Sequence, residues 1–204
     1  MRRSLAISTA AVALALPAVV GAAPRQIDVS DDFFSPQRPP ARNFQAGPSF
    51  RWSRAGGSSG DHNIRQDDRL FRSGDPTTGP INFAINASAG SFHYYCEVHR
   101  FSGMTGLVRV RPVHDPDPSG RPFTVIWAGS GTNTGGAFDV RFKRGSGDWK
   151  TWKNDTERFR GVFGKDHRPV RVRANTVYKF QVRSERSGNH SKRSGWSPTL
   201  RVST

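Results

Sequence analysis

The stretch Tyr95-Cys96-Glu97-Val98-His99-Arg100-Phe101-Ser102-Gly103-Met104-Thr105-Gly106 holds the only cysteine of the chain and, apart from Met1, its only methionine. On either side lie Ser91-Phe92-His93-Tyr94-Tyr95 and Gly106-Leu107-Val108-Arg109-Val110, short runs rich in aromatic and β-branched residues. Such runs read as strands, so the C-x2-H-x4-M spacing falls on the loop that joins them. Upstream, Asp61-His62-Asn63-Ile64 brings a second imidazole from a Gly-rich loop.

Taken singly, each residue has an ordinary reading: a buried cysteine is packing, a methionine fills core, a loop histidine is solvated. Taken together they do not, because the lone thiol and the lone internal thioether share one loop with a histidine between them. Thiolate and thioether favour Cu(I), and imidazole suits both copper oxidation states. A His2Cys set with a weak axial Met is the blue-copper arrangement. Such a site changes shape little between Cu(I) and Cu(II), which is what electron transfer requires. Zinc is the competing metal, but it rarely takes a thioether and leaves Met104 without a role. His62, Cys96, His99 and Met104 are therefore the expected ligands of one copper ion.

The residues from about 25 to 111 resemble the small cupredoxins of the plastocyanin and azurin type. The resemblance is carried by a first strand at Ile27-Asp28-Val29, Asp32-Phe33-Phe34-Ser35-Pro36, a Gly47 turn into Phe50-Arg51-Trp52, the His62-Asn63 pair and the ligand loop. It implies a Greek-key β-sandwich with copper under one end, Asn63 tying the His62 loop to the ligand loop, and His99 offering a solvent-facing edge to electrons. The 34 residues from His62 to Cys96 are few for that family, so its partner-docking features are not carried over. Phe92, Tyr94, Tyr95 and Phe101 are expected as core and rim around the metal, and His93 and His114 as solvent-facing.

The chain has 204 residues, with 31 Lys and Arg against 16 Asp and Glu, for a net charge of +15. One cysteine excludes an intramolecular disulfide scaffold. Met1-Arg2-Arg3, the apolar run Leu5 to Val20 and the small residues Val20-Gly21-Ala22 read as a secretory signal peptide over 1–22, with an uncleaved anchor as the competing reading. The protein is thus expected to be exported, to a periplasm or a cell surface. A stretch with two Asp-Pro steps, 113–120, reads as a linker, dividing a cupredoxin-like domain at 23–112 from a second domain at 121–204. Residues 23–116 carry 11 Arg and 9 acids, whereas residues 117–204 carry 18 Lys and Arg and 7 acids. The basicity belongs to the second half.

That half also reads as strands, at Phe123-Thr124-Val125-Ile126-Trp127, Phe138 to Lys143, Val170 to Arg173 and Val177 to Arg183. The fold class expected for the whole is all-β, two consecutive sandwiches. Residues 121–204 resemble a fibronectin type III domain through Val125-Ile126-Trp127, the Phe138 strand leading to Trp149 and Trp152, the Tyr178 strand and Ser194-Gly195-Trp196-Ser197-Pro198. The resemblance implies that Tyr178 is a tyrosine corner, and it leaves the first strand unlocated. It also makes the strands of Phe138, Tyr178 and Leu200 neighbours. Alternation then puts Asp139 and a basic face of Arg141, Lys143, Lys179, Arg183 and Arg201 in solvent. That face suits an acidic partner, a polyanionic envelope polymer or a membrane surface, or serves solubility alone. Nucleic acid is not expected of an exported chain.

No nucleophile elbow, Walker loop or H-E-x-x-H motif is present, and the six histidines include no H-x-H pair. The expected function is a monomeric, non-enzymatic one-electron carrier with unidentified redox partners. The alternatives are copper sequestration or delivery, or a cell-surface interaction protein with a structural copper site.

Overall fold

The computed structural model describes residues 23–47, 49–115 and 121–204. The leader expected over 1–22 and most of the Asp-Pro stretch lie outside them. Within them the chain is all-β: sixteen strands and two short 3-10 turns. No helix among the described residues is long and apolar enough to cross a membrane.

The first sandwich faces two four-stranded sheets. One orders β2 (Phe34–Ser35), β1 (Arg25–Val29), β4 (Phe50–Arg54) and β6 (Asn82–Ile85). The other orders β3 (Arg42–Asn43), β8 (Thr105–Arg111), β7 (Gly90–Tyr95) and β5 (Arg65–Gln66). Alternation works as the sequence suggests: in β8 Gly106, Val108 and Val110 are buried while their neighbours are half-buried or exposed. Ile27, Trp52, Phe92 and Val108 meet in one core with Cys96 and Met104. Because β1 and β4 run parallel, with Val29 opposite Arg54, the loops that follow them emerge at the same end.

In the second sandwich three strands oppose four. β13 (Arg160–Phe163), β10 (Phe123–Ile126) and β9 (Val113–His114) form one sheet. The other runs β12 (Lys150–Thr156), β11 (Ala137–Arg144), β14 (Val177–Arg186) and a last strand split into β15 (Asn189–Arg193) and β16 (Leu200–Ser203), both paired with β14. β9 is the first strand that the sequence left unlocated, and it takes up the opening residues of the stretch read as linker. The Ser194–Pro198 segment makes the split: Ser197 donates its N–H to Val182 O at 2.7 Å and accepts the Val182 N–H on its Oγ at 3.0 Å. Tyr178 Oη accepts the Arg173 N–H at 3.1 Å, the bond of a tyrosine corner. That bond also explains a correction. Val170–Arg173 alternates like a strand but forms none, because Tyr178 takes up its backbone while Val172 plugs the core.

The two sandwiches are joined by a seam as well as by chain. The Ala89 side chain belongs to the second core, and its N–H reaches Trp127 O at 2.7 Å. Ser91 and Gly195 exchange both backbone hydrogen bonds, at 3.0 and 2.8 Å. Ser88 Oγ meets Thr134 Oγ1 at 2.9 Å and also bonds Ser184 Oγ.

Candidate metal centre

Three loops gather at one end of the first sandwich: those after β1, β4 and β7. His62 comes from the second, pinned by a two-way backbone bridge to Thr77 (3.0 and 3.1 Å). Cys96 and His99 come from the third. Cys96 Sγ lies 3.9 Å from His62 Nδ1 and 3.6 Å from His99 Nδ1, and one donor atom from each residue fits within 4.8 Å of the others. His62 and Cys96 are fully buried, and His99 is half-exposed. Sγ also faces Asp61 O at 3.8 Å. The loop closes on itself: Cys96 N–H donates to Met104 O and Met104 N–H to His99 O, each at 3.1 Å, after a 3-10 turn at Arg100–Ser102 that Gly103 ends with φ of 89°. Met104 is completely buried in the core that contains Cys96.

Asn63 links the His62 loop to the loop of Cys96. Its Oδ1 accepts the Glu97 N–H at 2.9 Å, and its Nδ2 donates to Gly74 O at 2.9 Å and to the Glu97 carboxylate. Burial pushes the Glu97 carboxyl up, but hydrogen bonds from Arg65, Asn63 and Arg72 outweigh it and bring it down to about 2.

Several supporting residues escape sequence reading. Asp31 Oδ1 lies 3.5 Å from His62 Nε2, long for a hydrogen bond, so that buried nitrogen lacks a full partner. The Gly60 N–H, the Ser58 hydroxyl and the Ser59 N–H hold the Asp31 carboxyl well below the usual range. Burial pushes His62 below the ordinary imidazole value against the pull of Asp31, so the ring is neutral at physiological pH and able to bind a metal. Arg54 laces the same loop, donating to Gly79 O at 2.9 Å and Gly60 O at 3.0 Å. Gly60 is small for a reason: a Cβ there would come within 3.1 Å of His62 Nε2 and 3.6 Å of His99 Cε1. No spacing or periodicity points to Asp31 or Arg54; only the Gly-rich composition of 56–60 hints at a close approach.

Around the ligand loop the expected rim divides. Phe92, Tyr94 and Tyr95 are core, but Phe101 is 98% exposed and Val98 52%. The expectation that Phe101 crowds the metal is therefore corrected, since the 3-10 turn points it outward beside half-exposed His99. His93 is exposed and bonds Asp67 at 2.9 Å, whereas His114 is half-buried in β9.

In the second sandwich Arg141, Lys143, Lys179 and Arg183 are half-buried and Arg201 is exposed, all on the outer face of the larger sheet. Asp139 is on that face too but is not in solvent, being only 5% exposed. Arg183 covers it, with Nε 2.9 Å from Oδ2, and the Asp155 N–H binds Oδ1 at 2.9 Å. Behind it Asp155, Glu185 and His190 form a second group, with the His190 Nδ1 3.2 Å from both carboxylates.

No protein-family model matches the chain, and no curated protein does. Among solved structures, the FN1–FN3 domains of chicken CNTN1 align at a TM-score of 0.33 and 10% identity, over 72% of this chain and 56% of that one. A cytokine receptor complex aligns at 0.34 and 16%, over 72% of this chain and 87% of that one. The chain thus spans little more than half the length of the CNTN1 structure. At these scores the likenesses say nothing of function, and the all-β fold rests on the strand order and register described above.

Proposed function

We propose that the chain is an exported copper protein that carries single electrons, with His62, Cys96 and His99 as principal ligands and Met104 as a weak fourth. The observation that carries this reading is the convergence of two imidazoles and the only thiol, from loops 34 residues apart, with His62 and Cys96 buried and His99 half-exposed. The donor chemistry fits: neutral nitrogen and soft sulfur suit copper in both oxidation states. Copper bound there supplies a one-electron couple between Cu(I) and Cu(II).

The chain's own residues do the rest. The Asn63–Glu97 tie holds the His62 loop to the Cys96 loop, and the Arg54 lacing fixes the His62 loop in itself, so the donors keep their places whichever charge the site carries. Burial of His62 and Cys96 keeps water from the inner side. His99 offers a half-exposed ring edge, one residue from Val98 and two from Phe101, whose outward apolar side chains suit a transient redox partner.

The test is visible absorption of the Cu(II)-loaded chain beside a Cys96→Ser variant. An intense thiolate-to-copper band that disappears in the variant, and that bleaches and returns on reduction and reoxidation, is expected. Loss of copper to an apo-acceptor at a measurable rate would instead favour delivery. A colourless protein without stoichiometric copper would overturn the reading.

A further inference from the structure

Strand register puts Lys143 directly opposite Lys179, and Lys179 directly opposite Arg201, across β11, β14 and β16. Their chain neighbours Phe142, Phe180 and Val202 point into the core, so all three cations stand on the outer face. Adjacent strands are about 4.8 Å apart, which makes this a straight row of three positive charges, perpendicular to the strands. Like charges directly opposite each other weaken an antiparallel pair. Among the described residues the ion pairs of this sandwich join Arg183 to Asp139 and Glu185, and His190 to Asp155 and Glu185. None reaches the row.

A second tier stiffens the same face. The Arg141 guanidinium lies 4.7 Å from the Trp149 ring centre and 4.1 Å from that of Trp196, Arg183 lies 4.7 Å from Trp196, and Lys143 lies 5.1 Å from Trp149. Cations already stacked on rings lose little side-chain freedom when an anion arrives. Trp149 and Trp196 are half-buried and already hold cations against their rings, which leaves less ring face for nucleic-acid bases. Among the described residues the exposed large apolar side chains are Phe33, Val98, Phe101, Phe159 and Val162, none of them in β11, β14 or β16. Apart from the half-buried Trp149 and Trp196, the face offers a bilayer no large apolar side chain to insert.

We infer that this face binds a linear anionic polysaccharide carrying a carboxylate on each sugar, laid across the strands with successive carboxylates over Lys143, Lys179 and Arg201. An extended polymer charged at every residue matches a flat row of cations better than a compact ligand does, and it relieves the cross-strand repulsion. This inference does not depend on the metal centre.

The test is calorimetric titration of the full chain with polygalacturonate, with neutral dextran as blank. Three proteins are compared: wild type, K143Q/K179Q/R201Q, and a charge-matched control, R121Q/R160Q/R168Q, altered at exposed arginines outside the face. Wild type and control are expected to bind alike, the face variant at least tenfold more weakly, and all binding to weaken with added salt. A cooperative melt of the face variant without polymer confirms that it folds, and a melting temperature above that of wild type that the row was repulsive. The inference is overturned if the control loses as much affinity as the face variant, if polygalacturonate does not bind, or if duplex DNA or vesicles of anionic phospholipid bind more tightly than the polymer.

Discussion

Asn63 accepts the backbone N–H of Glu97 on its Oδ1 at 2.9 Å, so the residue after His62 grips the residue after Cys96. Replacing Asn63 with Ala leaves that N–H without its partner and cuts the bond to Gly74. The expected cost is about 1–3 kcal/mol in stability, together with about 10–100-fold in copper affinity. Urea unfolding and a competitive copper titration measure the two. Unchanged affinity in the face of lost stability would show that the tie is structural only.

Gly106 faces Tyr94 across the β7–β8 ladder, and a Cβ there would stand 2.3 Å from the phenol ring carbon and oxygen of Tyr94. Tyr94 is buried and cannot swing aside. Gly106→Ala is therefore expected to cost about 1–3 kcal/mol or more by overpacking. Gly103→Ala has open space around its Cβ and meets only left-handed backbone strain, of about 1–2 kcal/mol. Thermal melts of the pair rank them; equal losses would mean that Tyr94 yields more readily than its packing implies.

Ser184 Oγ bonds both Ser88 Oγ and, at 3.3 Å, Ala89 O at the seam. The unmodified chain is expected to melt in one calorimetric transition, and Ser184→Val to lose about 1–3 kcal/mol and to separate the two sandwiches into distinct transitions. Two separate transitions in the unmodified chain would refute the coupling.

Glu185 is only 2% exposed, and burial followed by the nearby Asp139 carboxylate pushes its carboxyl up. The folded chain therefore holds this proton more tightly than the unfolded chain does. Its contribution to stability is complete below the ordinary glutamate value of about 4.3 and is lost as pH rises through the raised folded value. Glu185→Gln keeps a polar group there without the charge. The variant is expected to be the more stable protein at neutral pH, with the advantage shrinking toward pH 4. Denaturant midpoints across that range give the answer, and an advantage that grows in acid would reverse the assignment.

The sequence carries what is local. Cys96, His99 and Met104 share one loop, so their spacing suffices to bring them out, and His62 is marked by its Gly-rich loop. The outer position of Lys143, Lys179 and Arg201 follows from a period of two. What escapes the sequence depends on contacts between distant segments. Period alone gives Asp139 its face but cannot say that Arg183, 44 residues on, lies over it. Val170–Arg173 has the alternation of a strand, yet the hydroxyl of Tyr178 engages its backbone. Asp31 and Arg54 support the His62 loop from positions no motif marks. No motif marks Ser88 and Ala89, whose small side chains lie where one sandwich closes onto the other.

The seam at Ala89 bears on more than stability. β7 runs from Gly90 to Tyr95 and delivers Cys96 as the next residue, so the strand that carries the thiol is anchored at its other end to Trp127 and Gly195. The heading of the His99 edge is thereby set relative to the sheet that bears Lys143, Lys179 and Arg201. A molecule moored by that sheet would hold its His99 end in one direction, making encounter with a partner a matter of where the mooring lies as much as of diffusion.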